Sequence, residues 1–319
     1  MEDYRIVPKL RKGKVLVPAR FGCLQGIPTL NISSGCIFQC AYCYARGYSQ
    51  APKAGEVNLY VNLPALLELE LSRKRTVPPW VIINTSSDCF QTHPDILDVT
   101  YDVIRILLSH HVRISFLTKG VIPQRFIPLF EQSREGILAQ IGLVSLSEEY
   151  WREYEPNASP PEKRLENIER LKGAGILPEV RIDPIIPFVT DTESEMVSLF
   201  IRLKTLGIRK VTLSYLHLRP AIHQQLMKEL SPLHRRLIES CFGTREWKAI
   251  GSSSMSKLLP PSVRQRGYER IRGISEKFGI HASICQCKNP DLKGDLCGSG
   301  RAKAALRKKK PIQLPLFRC

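Results

Sequence analysis

Three cysteines lie within one short segment, GCIFQCAYCYAR, at Cys36, Cys40 and Cys43. A structural zinc site normally closes with four ligands, and a 4Fe-4S cluster held by four thiolates is likewise complete. Three thiolates from one loop leave one iron of such a cluster without a protein ligand, so that iron can bind a substrate. The alternatives are a zinc loop with a distant fourth ligand, or reduced thiols with no metal.

A second group of cysteines occurs near the end of the chain, in CQCKNPDLKGDLC, at Cys285, Cys287 and Cys297. Soft thiolates at this spacing bind zinc or an iron-sulfur cluster. We predict a second 4Fe-4S cluster here, with zinc or unmetallated thiols as alternatives. The candidates for a fourth ligand are Cys23, Cys241 and Cys319, or an atom of a substrate.

The composition limits the partners. The 319 residues include 47 Lys+Arg against 30 Asp+Glu, which gives a formal charge of +17. This excess favours a protein that binds a polyanion such as nucleic acid. The alternative is a basic protein without such a partner. The chain opens MEDYRIVPKLRKGK and contains no run of about 18 apolar residues, so we expect a cytoplasmic protein with no membrane partner. In that reducing compartment, ten cysteines indicate metal ligands or reactive groups rather than disulfides.

Strand-like and helix-like segments alternate along the first two thirds of the chain. The six predicted strands are 29–33, 80–84, 113–118, 141–147, 178–183 and 210–215. The predicted helices between them are 64–75, 94–110, 122–132, 161–173 and 191–206. This order predicts an α/β fold with a parallel sheet, either open or a partial barrel, whose strand carboxyl ends carry the site.

After Ser214 the strand signal fades, and residues 220–242 and 261–279 are predicted to form two more helices. We therefore divide the chain into a barrel with an N-terminal extension (1–219), a helical, cysteine-containing region (220–300) and a basic tail (301–319).

The first cysteine loop, with Tyr42 before its last cysteine, resembles that of the radical S-adenosylmethionine (radical SAM) superfamily. The resemblance implies a partial (β/α)6 barrel and a 4Fe-4S cluster whose open iron binds the cofactor S-adenosylmethionine. An electron from a donor such as ferredoxin or flavodoxin would then give a 5'-deoxyadenosyl radical. The segments SSDCFQ, FLTKG, VSLS and YEPNASPPEKRLENIERLKGAGI are similar to the spore photoproduct lyase-like, DNA repair photolyase-related branch, over roughly residues 28–190.

This resemblance also implies roles for individual residues around the cofactor. Tyr42 is expected to contact it. Ser87 and Asp88 resemble the pair that holds its amino end, and Lys119 resembles the lysine that meets its carboxylate. Ser145 or Ser147 resembles a further contact; a solvated lysine at a strand end is the alternative for Lys119.

The chain departs from the lyase pattern at the hydrogen donor. A cysteine is expected two residues before the Ser-Asp pair, where this chain has Thr85. We therefore predict that it is not a spore photoproduct lyase itself. Cys89 is the alternative hydrogen donor, although a lone cysteine there is also typical of inert packing.

Other residues at strand ends could meet a substrate. The segment SYLHLRP places Tyr215, His217 and Arg219 after the sixth strand, where a phosphate or base could bind, although His217 could equally be a satisfied loop histidine. Glu155 opens the EPNASP turn, and the simple interpretation is a solvated turn carboxylate.

The tail contains QLPLF, which resembles the short motif that docks bacterial polymerases and repair proteins on the sliding clamp. Gln313 would bind the rim of the clamp pocket, while Leu314, Leu316 and Phe317 fill it. A tail that packs on its own domain is the alternative.

These features predict a radical SAM enzyme, a lyase or transferase, acting on nucleic acid, with DNA lesion repair or base modification favoured. An RNA- or tRNA-modifying enzyme is the second hypothesis. The third is a non-catalytic iron-sulfur protein recruited to the sliding clamp.

Overall fold

A computed structural model describes residues 4–20, 22–250 and 255–295, with the backbone alone described at Cys23. The strands are β1 (Arg5–Lys9), β2 (Val17–Pro18), β3 (Pro28–Leu30), β4 (Ser33–Ser34), β5 (Glu56–Tyr60), β6 (Trp80–Ile83), β7 (Arg113–Thr118), β8 (Ile137–Gly142), β9 (Glu179–Ile185), β10 (Lys210–Tyr215), β11 (Lys248–Ala249), β12 (Met255–Ser256) and β13 (His281–Ile284). The α-helices are α1 (Leu63–Ser72), α2 (Pro94–Ser109), α3 (Ile127–Gln132), α4 (Glu148–Tyr154), α5 (Pro161–Gly173), α6 (Glu193–Thr205), α7 (Pro220–Glu229), α8 (Pro232–Phe242) and α9 (Pro261–Lys277).

The main sheet contains eight strands in the order β13-β10-β9-β8-β7-β6-β3-β2. All neighbouring pairs are parallel except β2 and β3, which are antiparallel. Parallel neighbours require long crossovers, and α2, α5 and α6 provide three of them. In the described part of the chain, β13 and β2 do not pair, so the sheet is open. This confirms the predicted fold class.

Four of the six predicted strands are present at their predicted places. The first, predicted at 29–33, is divided between β3, which ends at Leu30, and β4 of the smaller sheet, and the fourth is displaced. It was predicted at 141–147 but β8 runs from Ile137 to Gly142. The apolar run continues beyond the strand, because Leu143 and Val144 are as buried as the strand itself. Apolarity alone therefore could not show where pairing with β7 ends.

The sheet gains a seventh parallel strand that the sequence did not indicate. β13 contains only four residues, HASI, and pairs with β10 along its length. The weak signal after Ser214 therefore missed this strand, which lies within the region predicted as helical and cysteine-containing. The boundary at residue 219 stays a prediction, although β13 joins the same sheet.

The predicted helices need three corrections. The segment 122–132 contains a 3-10 turn, Gln124–Phe126, before α3. The segment 220–242 breaks in two, because the Ser231 hydroxyl accepts a hydrogen bond from the backbone N–H of His234 and a proline begins α8. The short helix α4 was not predicted. No helix in the described ranges is long and apolar enough to span a bilayer.

A small three-stranded sheet, in the order β1-β5-β4, flanks the N-terminal part of the main sheet. Its strand β4 leads directly into the cysteine loop at Gly35. Backbone hydrogen bonds continue the contact, since Asn84 N–H donates to Leu30 C=O and Tyr60 N–H donates to Ile32 C=O. The backbone that leads into the cysteine loop is therefore held in place by hydrogen bonds to two neighbouring strands.

Candidate active site

The cysteine loop, defined here as residues 35–43, follows β4 and lines a solvent-open cleft. Cys36 and Cys43 are partly exposed and line this cleft, whereas Cys40 is buried. Gly35 has a φ of 85°, and a Cβ there would lie 2.5 Å from Cγ of Pro52, so only glycine fits the start of the loop. The three thiols thus share one loop beside a solvent-open cleft.

Gln91 holds the loop from the β6 side. Its Oε1 accepts a hydrogen bond of 2.9 Å from the backbone N–H of Ile37. Its Nε2 donates to the carbonyl of Asp88 and to Oγ of Ser33. The residue is completely buried, so these bonds are shielded from water. Sequence reasoning quoted Gln91 only as part of SSDCFQ and did not assign it a role.

Helix α7 holds the loop from the opposite side. Nε2 of Gln225 donates to the carbonyls of Ala41 and Cys43 at 3.2 and 3.1 Å. Arg46 forms a two-pronged ion pair with Glu229 and also reaches loop carbonyls. Residues beyond 219 therefore support the cysteine loop directly.

Tyr42 is fixed by a buried charge network. Its hydroxyl donates to Glu155, and Glu155 is ion-paired with Arg164. The side chains of both charged residues are 1% exposed. Burial alone raises the pKa of Glu155, but Arg164 and Lys119 outweigh it and hold the pKa below its usual value. The interpretation of Glu155 as a solvated turn carboxylate is therefore wrong.

Lys119 extends from the end of β7 toward the cysteine loop. Its ammonium lies 5.5 Å from the centroid of the Tyr42 ring, and its charge lowers the pKa of Cys40 against the larger effect of burial. A Cβ on Gly142 would lie 3.0 Å from Cγ and 3.1 Å from Nζ of Lys119, so this glycine leaves room for the lysine. A cation held here suits an anionic group beside the cysteines, as predicted for the cofactor carboxylate.

Asp88 is buried, and both its carboxylate oxygens are engaged by the protein. Oδ1 accepts from Phe90 N–H and from Oγ1 of Thr118, each at 2.8 Å, and Oδ2 accepts from Lys119 N–H at 2.7 Å. Burial raises the pKa of Asp88, and these hydrogen bonds oppose the rise. The geometry gives Asp88 a positioning role at the end of β7; its contact with the cofactor stays a prediction.

The three predicted serines all have protein partners. Oγ of Ser87 donates to the carbonyl of Ser33 at 3.1 Å and accepts from the side chain of Asn84. Ser145 donates to Glu195, and its oxygen accepts from the N–H of Ser147. Ser147 is the N-cap of α4, because its hydroxyl accepts from the backbone N–H of Tyr150. Their contacts with a cofactor stay predictions.

Cys89 lies in the hydrophobic core and is 0% exposed. Burial, with Asp88 and Cys36 nearby, raises the pKa of its thiol well above the usual value. This burial argues against direct contact with a substrate, and the hydrogen-donor role stays an untested prediction. At the position where the lyase pattern expects a cysteine, the carbonyl of Thr85 accepts a hydrogen bond from the hydroxyl of Tyr44.

Tyr44, Tyr48 and Arg219 form a cluster beside the cysteine loop, called here the mouth cluster. The ring centroids of the tyrosines are 5.7 Å apart, and Cζ of Arg219 lies 5.3 Å from the centroid of Tyr44. The tyrosines are 38% and 44% exposed. Arg219 thus lies beside the cysteine loop, and its contact with a substrate stays a prediction.

Tyr215 and His217 face the interior instead. Tyr215 is buried, and its hydroxyl donates to Asp191 at 2.7 Å, so its prediction as a substrate contact is wrong. His217 has a buried Nε2 without a hydrogen-bond partner among the described residues. Burial, with the positive charge of Lys288, lowers the pKa of His217 to about 4.

In the second cysteine group, Cys285 and Cys287 follow the end of β13. Cys297 lies outside the described residues, as do Cys319 and the clamp-like residues Gln313, Leu314, Leu316 and Phe317.

The profile of the Radical SAM superfamily matches residues 30–219, which is more than half of the chain. The protein therefore belongs to the radical SAM superfamily, as the cysteine spacing predicted. Within the described ranges, no three His, Cys, Asp or Glu side chains are close enough to hold a single metal ion. A 4Fe-4S cluster does not need that arrangement, because each thiolate binds a different iron. Three cysteines on one loop, beside an open cleft and the Lys119 cation, fit such a cluster with its S-adenosylmethionine.

The chain is similar to several known proteins. It is 27% identical to an uncharacterized protein of Mycobacterium tuberculosis, over 79% of this chain and 74% of that protein. It is 21% identical to a radical SAM Nalpha-GlyT isomerase of Pseudomonas phage M6, over 82% of this chain and 54% of the isomerase. The structure of a spore photoproduct lyase mutant with bound AdoMet and dinucleoside spore photoproduct superposes with a TM-score of 0.64 and 15% identity, covering 87% of this chain and 81% of the lyase. At 15% identity, the similarity to the lyase shows a shared fold.

Proposed function

We propose that this radical SAM enzyme modifies or repairs nucleic acid, with DNA favoured over RNA. The observation that carries the proposal is the mouth cluster beside Cys43. Exposed aromatic rings provide stacking surfaces for unstacked bases, and a guanidinium provides a contact for phosphate. The net charge of +17 adds a long-range attraction for a polyanion.

When bound, the cluster and S-adenosylmethionine would supply the 5'-deoxyadenosyl radical. Cys36, Cys40 and Cys43 would hold the cluster, and Lys119 would meet the cofactor carboxylate. Glu155 keeps Tyr42 in place against the loop. These residues would bind and orient the cluster and S-adenosylmethionine, while the mouth cluster would select the substrate.

The relatives support the nucleic-acid substrate. A spore photoproduct lyase of the same fold has been solved in complex with dinucleoside spore photoproduct. The presence of Thr85 instead of the expected cysteine separates this chain from the lyase. In the described part of the chain, the cysteines that line the cleft are Cys36 and Cys43, and both are assigned to the cluster.

A rearrangement is the second candidate reaction, because the described residues that line the cleft include no thiol besides Cys36 and Cys43. A reaction that returns the abstracted hydrogen to the product needs no separate thiol donor. The similarity to the phage isomerase agrees with it. Deuterium transfer from labelled substrate to 5'-deoxyadenosine and back to product would distinguish a rearrangement from a reaction with an external hydrogen donor.

The test uses the anaerobically reconstituted protein with S-adenosylmethionine and dithionite. We expect single-stranded DNA oligonucleotides to bind and to stimulate 5'-deoxyadenosine formation more than RNA of the same sequence. Arg219→Ala should weaken DNA binding about tenfold, because a contact with phosphate is lost. Arg202→Ala is the matched control, since Arg202 is an exposed arginine of α6 in a surface ion pair.

The nucleic acid that co-purifies anaerobically provides a second measurement. Equal binding of DNA by wild type and Arg219→Ala, or stimulation by RNA alone, would contradict the DNA proposal. An electron donor such as ferredoxin or flavodoxin, and the sliding clamp as a partner of the tail, remain part of the proposal.

A further inference from the structure

Phe188 combines two unusual features in the turn that follows β9. Its backbone φ is 62°, in the left-handed region that favours glycine and, less strongly, asparagine. The other non-glycine residues with a positive φ in the described part of the chain all have polar side chains; they are Gln39, Asn84 and His111. Phe188 is also 66% exposed, so burial of its ring does little to offset this conformation. Neither the backbone nor the packing of the turn favours a phenylalanine here.

The turn that carries Phe188, residues 186–191, is held by two other elements. Oδ1 of Asp191 accepts a hydrogen bond of 2.6 Å from the backbone N–H of Phe188. Oδ2 of the same carboxylate accepts from the Tyr215 hydroxyl of β10 at 2.7 Å. Arg270 of α9 donates to the backbone carbonyl of Asp191 at 2.7 Å. An unfavourable backbone conformation persists where its surroundings fix it in this way, and such residues concentrate at ligand-binding sites.

The position of the turn relates Phe188 to the proposed substrate contacts. The backbone N–H of Leu216 donates to the carbonyl of Ile185 at 3.0 Å. The turn that carries Phe188 and the segment that leads to Arg219 therefore start side by side, at the carboxyl ends of β9 and β10. This is the edge of the sheet from which Lys119 reaches the cysteine loop.

Electrostatics also connects the end of β9 with the mouth cluster. Partial burial raises the pKa of Tyr44, and the side chain of Tyr48 and the carboxylate of Asp183 add to the rise. Asp183 belongs to β9, so its end lies close enough to act on the mouth cluster. A nucleic acid bound at the mouth cluster would therefore pass near the end of β9.

We propose that Phe188 stacks on an unstacked base of a single-stranded nucleic acid whose neighbouring nucleotides occupy the mouth cluster. This inference rests on the proposed function and adds a second stacking surface to it. Every base has a face on which an aromatic ring can stack, whatever the sequence. Because the turn is already fixed, little backbone freedom is lost on binding. Phe188 would position the substrate, whereas Arg219 would contact its phosphate.

The first test separates the ring of Phe188 from its backbone conformation. Phe188→Gly and Phe188→Asn remove the ring but suit a φ of 62°. We expect both variants to bind a single-stranded oligonucleotide about tenfold more weakly, measured by fluorescence anisotropy with the reconstituted protein and S-adenosylmethionine. Their thermal midpoints should equal or exceed that of wild type, because backbone strain is relieved. A midpoint that falls together with the affinity would show a structural role for Phe188 and overturn the proposal.

Leu177→Asn is the matched control for the loss of an exposed apolar side chain. Leu177 is 53% exposed and precedes β9, at the opposite end of the same strand. We expect this variant to bind the oligonucleotide as wild type does. A loss of affinity equal to that of Phe188→Asn would mean that surface apolarity in general, and not the position of Phe188, accounts for binding.

Phe188→Trp keeps an aromatic ring and gives a direct signal of stacking. It should retain the affinity of wild type. Its added indole fluorescence, measured against wild type with its three native tryptophans, should be quenched by the oligonucleotide, because a stacked base lies against the ring. An affinity as low as that of Phe188→Asn, or fluorescence unchanged by bound oligonucleotide, would contradict the proposal.

Arg219→Ala, measured in parallel, distinguishes a failure of this inference from a failure of the proposed function. DNA and RNA of the same sequence are both used, and the variants are compared on the one that binds wild type more tightly. If Arg219→Ala binds more weakly but Phe188→Gly and Phe188→Asn bind as wild type does, the stacking role of Phe188 alone is wrong. If wild type binds neither DNA nor RNA, the proposed function is wrong and this inference fails with it.

Discussion

The carboxylate of Asp88 accepts a hydrogen bond of 2.7 Å from the backbone N–H of Lys119. This bond ties the loop after β6 to the end of β7, the two strands that lie side by side in the sheet. It fixes the backbone from which the lysine side chain extends toward the cysteines. The lysine is therefore presented by a rigid strand end, which suits the binding of a small anionic group.

Lys119→Gln should weaken the binding of S-adenosylmethionine. A charge-assisted hydrogen bond contributes about 1.5–3 kcal/mol, so affinity should fall about ten- to hundredfold. Calorimetric titration of the reconstituted protein checks this. Lys163→Gln, at an exposed position of α5, is the matched control. An unchanged affinity would contradict the contact between Lys119 and the cofactor and would favour the alternative of a solvated lysine at a strand end.

Cys40→Ala should abolish formation of 5'-deoxyadenosine. Cys40 is one of three thiolates that would hold the cluster, and it has no substitute in the loop. Anaerobic reconstitution followed by dithionite and product chromatography makes the measurement. Cys241→Ala should keep wild-type activity. Undiminished product from Cys40→Ala would refute the cluster assignment.

His217 should make stability depend on pH between about 6.5 and 4. The unfolded pKa of histidine is about 6.5, and the folded value is lowered to about 4, so the unfolded chain binds the proton first as pH falls. Stability is therefore present above about 6.5 and decreases as pH falls through this window, by on the order of 2 kcal/mol.

Urea unfolding of wild type and His217→Gln over this pH range checks the prediction. The variant should show a flatter profile, and His223→Gln on α7 serves as the matched control. Parallel profiles for wild type and His217→Gln would contradict the assignment.

The clamp-like tail gives a separate prediction. Phe317→Ala should remove about 2 kcal/mol or more of binding to a bacterial sliding clamp, because the largest apolar group is the expected anchor. Truncation before Gln313 should abolish binding, and cofactor cleavage should be unchanged in both. Surface plasmon resonance with immobilised clamp is the measurement. If wild type, Phe317→Ala and the truncated protein bind the clamp equally, the clamp motif no longer supports DNA, and RNA becomes an equally good candidate substrate.

The sequence predicted those parts of the site that depend on neighbouring residues. The spacing of Cys36, Cys40 and Cys43 is local, and so is the position of Lys119 at the end of an apolar strand. It could not predict Glu155, because a carboxylate in a turn is normally solvated and its partner Arg164 lies on another helix. It also missed β13, since four residues beginning with histidine give too little periodicity.

The contacts between distant segments were equally hidden. Gln225 and Arg46 support the cysteine loop through pairs separated by more than 180 residues. The 3-10 turns Gly22–Leu24 and Gln286–Lys288, which follow strands at opposite edges of the main sheet, also contact each other. These contacts depend on the three-dimensional fold, and the spacing of residues along the sequence carries no record of them.

The support that α7 gives to the cysteine loop has a consequence for biosynthesis. The ribosome synthesises the loop early, whereas Gln225 and Glu229, which hold its carbonyls and Arg46, follow by more than 180 residues. A nascent chain that ends before α7 carries the three thiols on a loop that lacks its hydrogen bonds from Gln225 and the Arg46–Glu229 ion pair. We therefore expect stable iron-sulfur assembly on this protein only after α7 has been synthesised and packed against the loop.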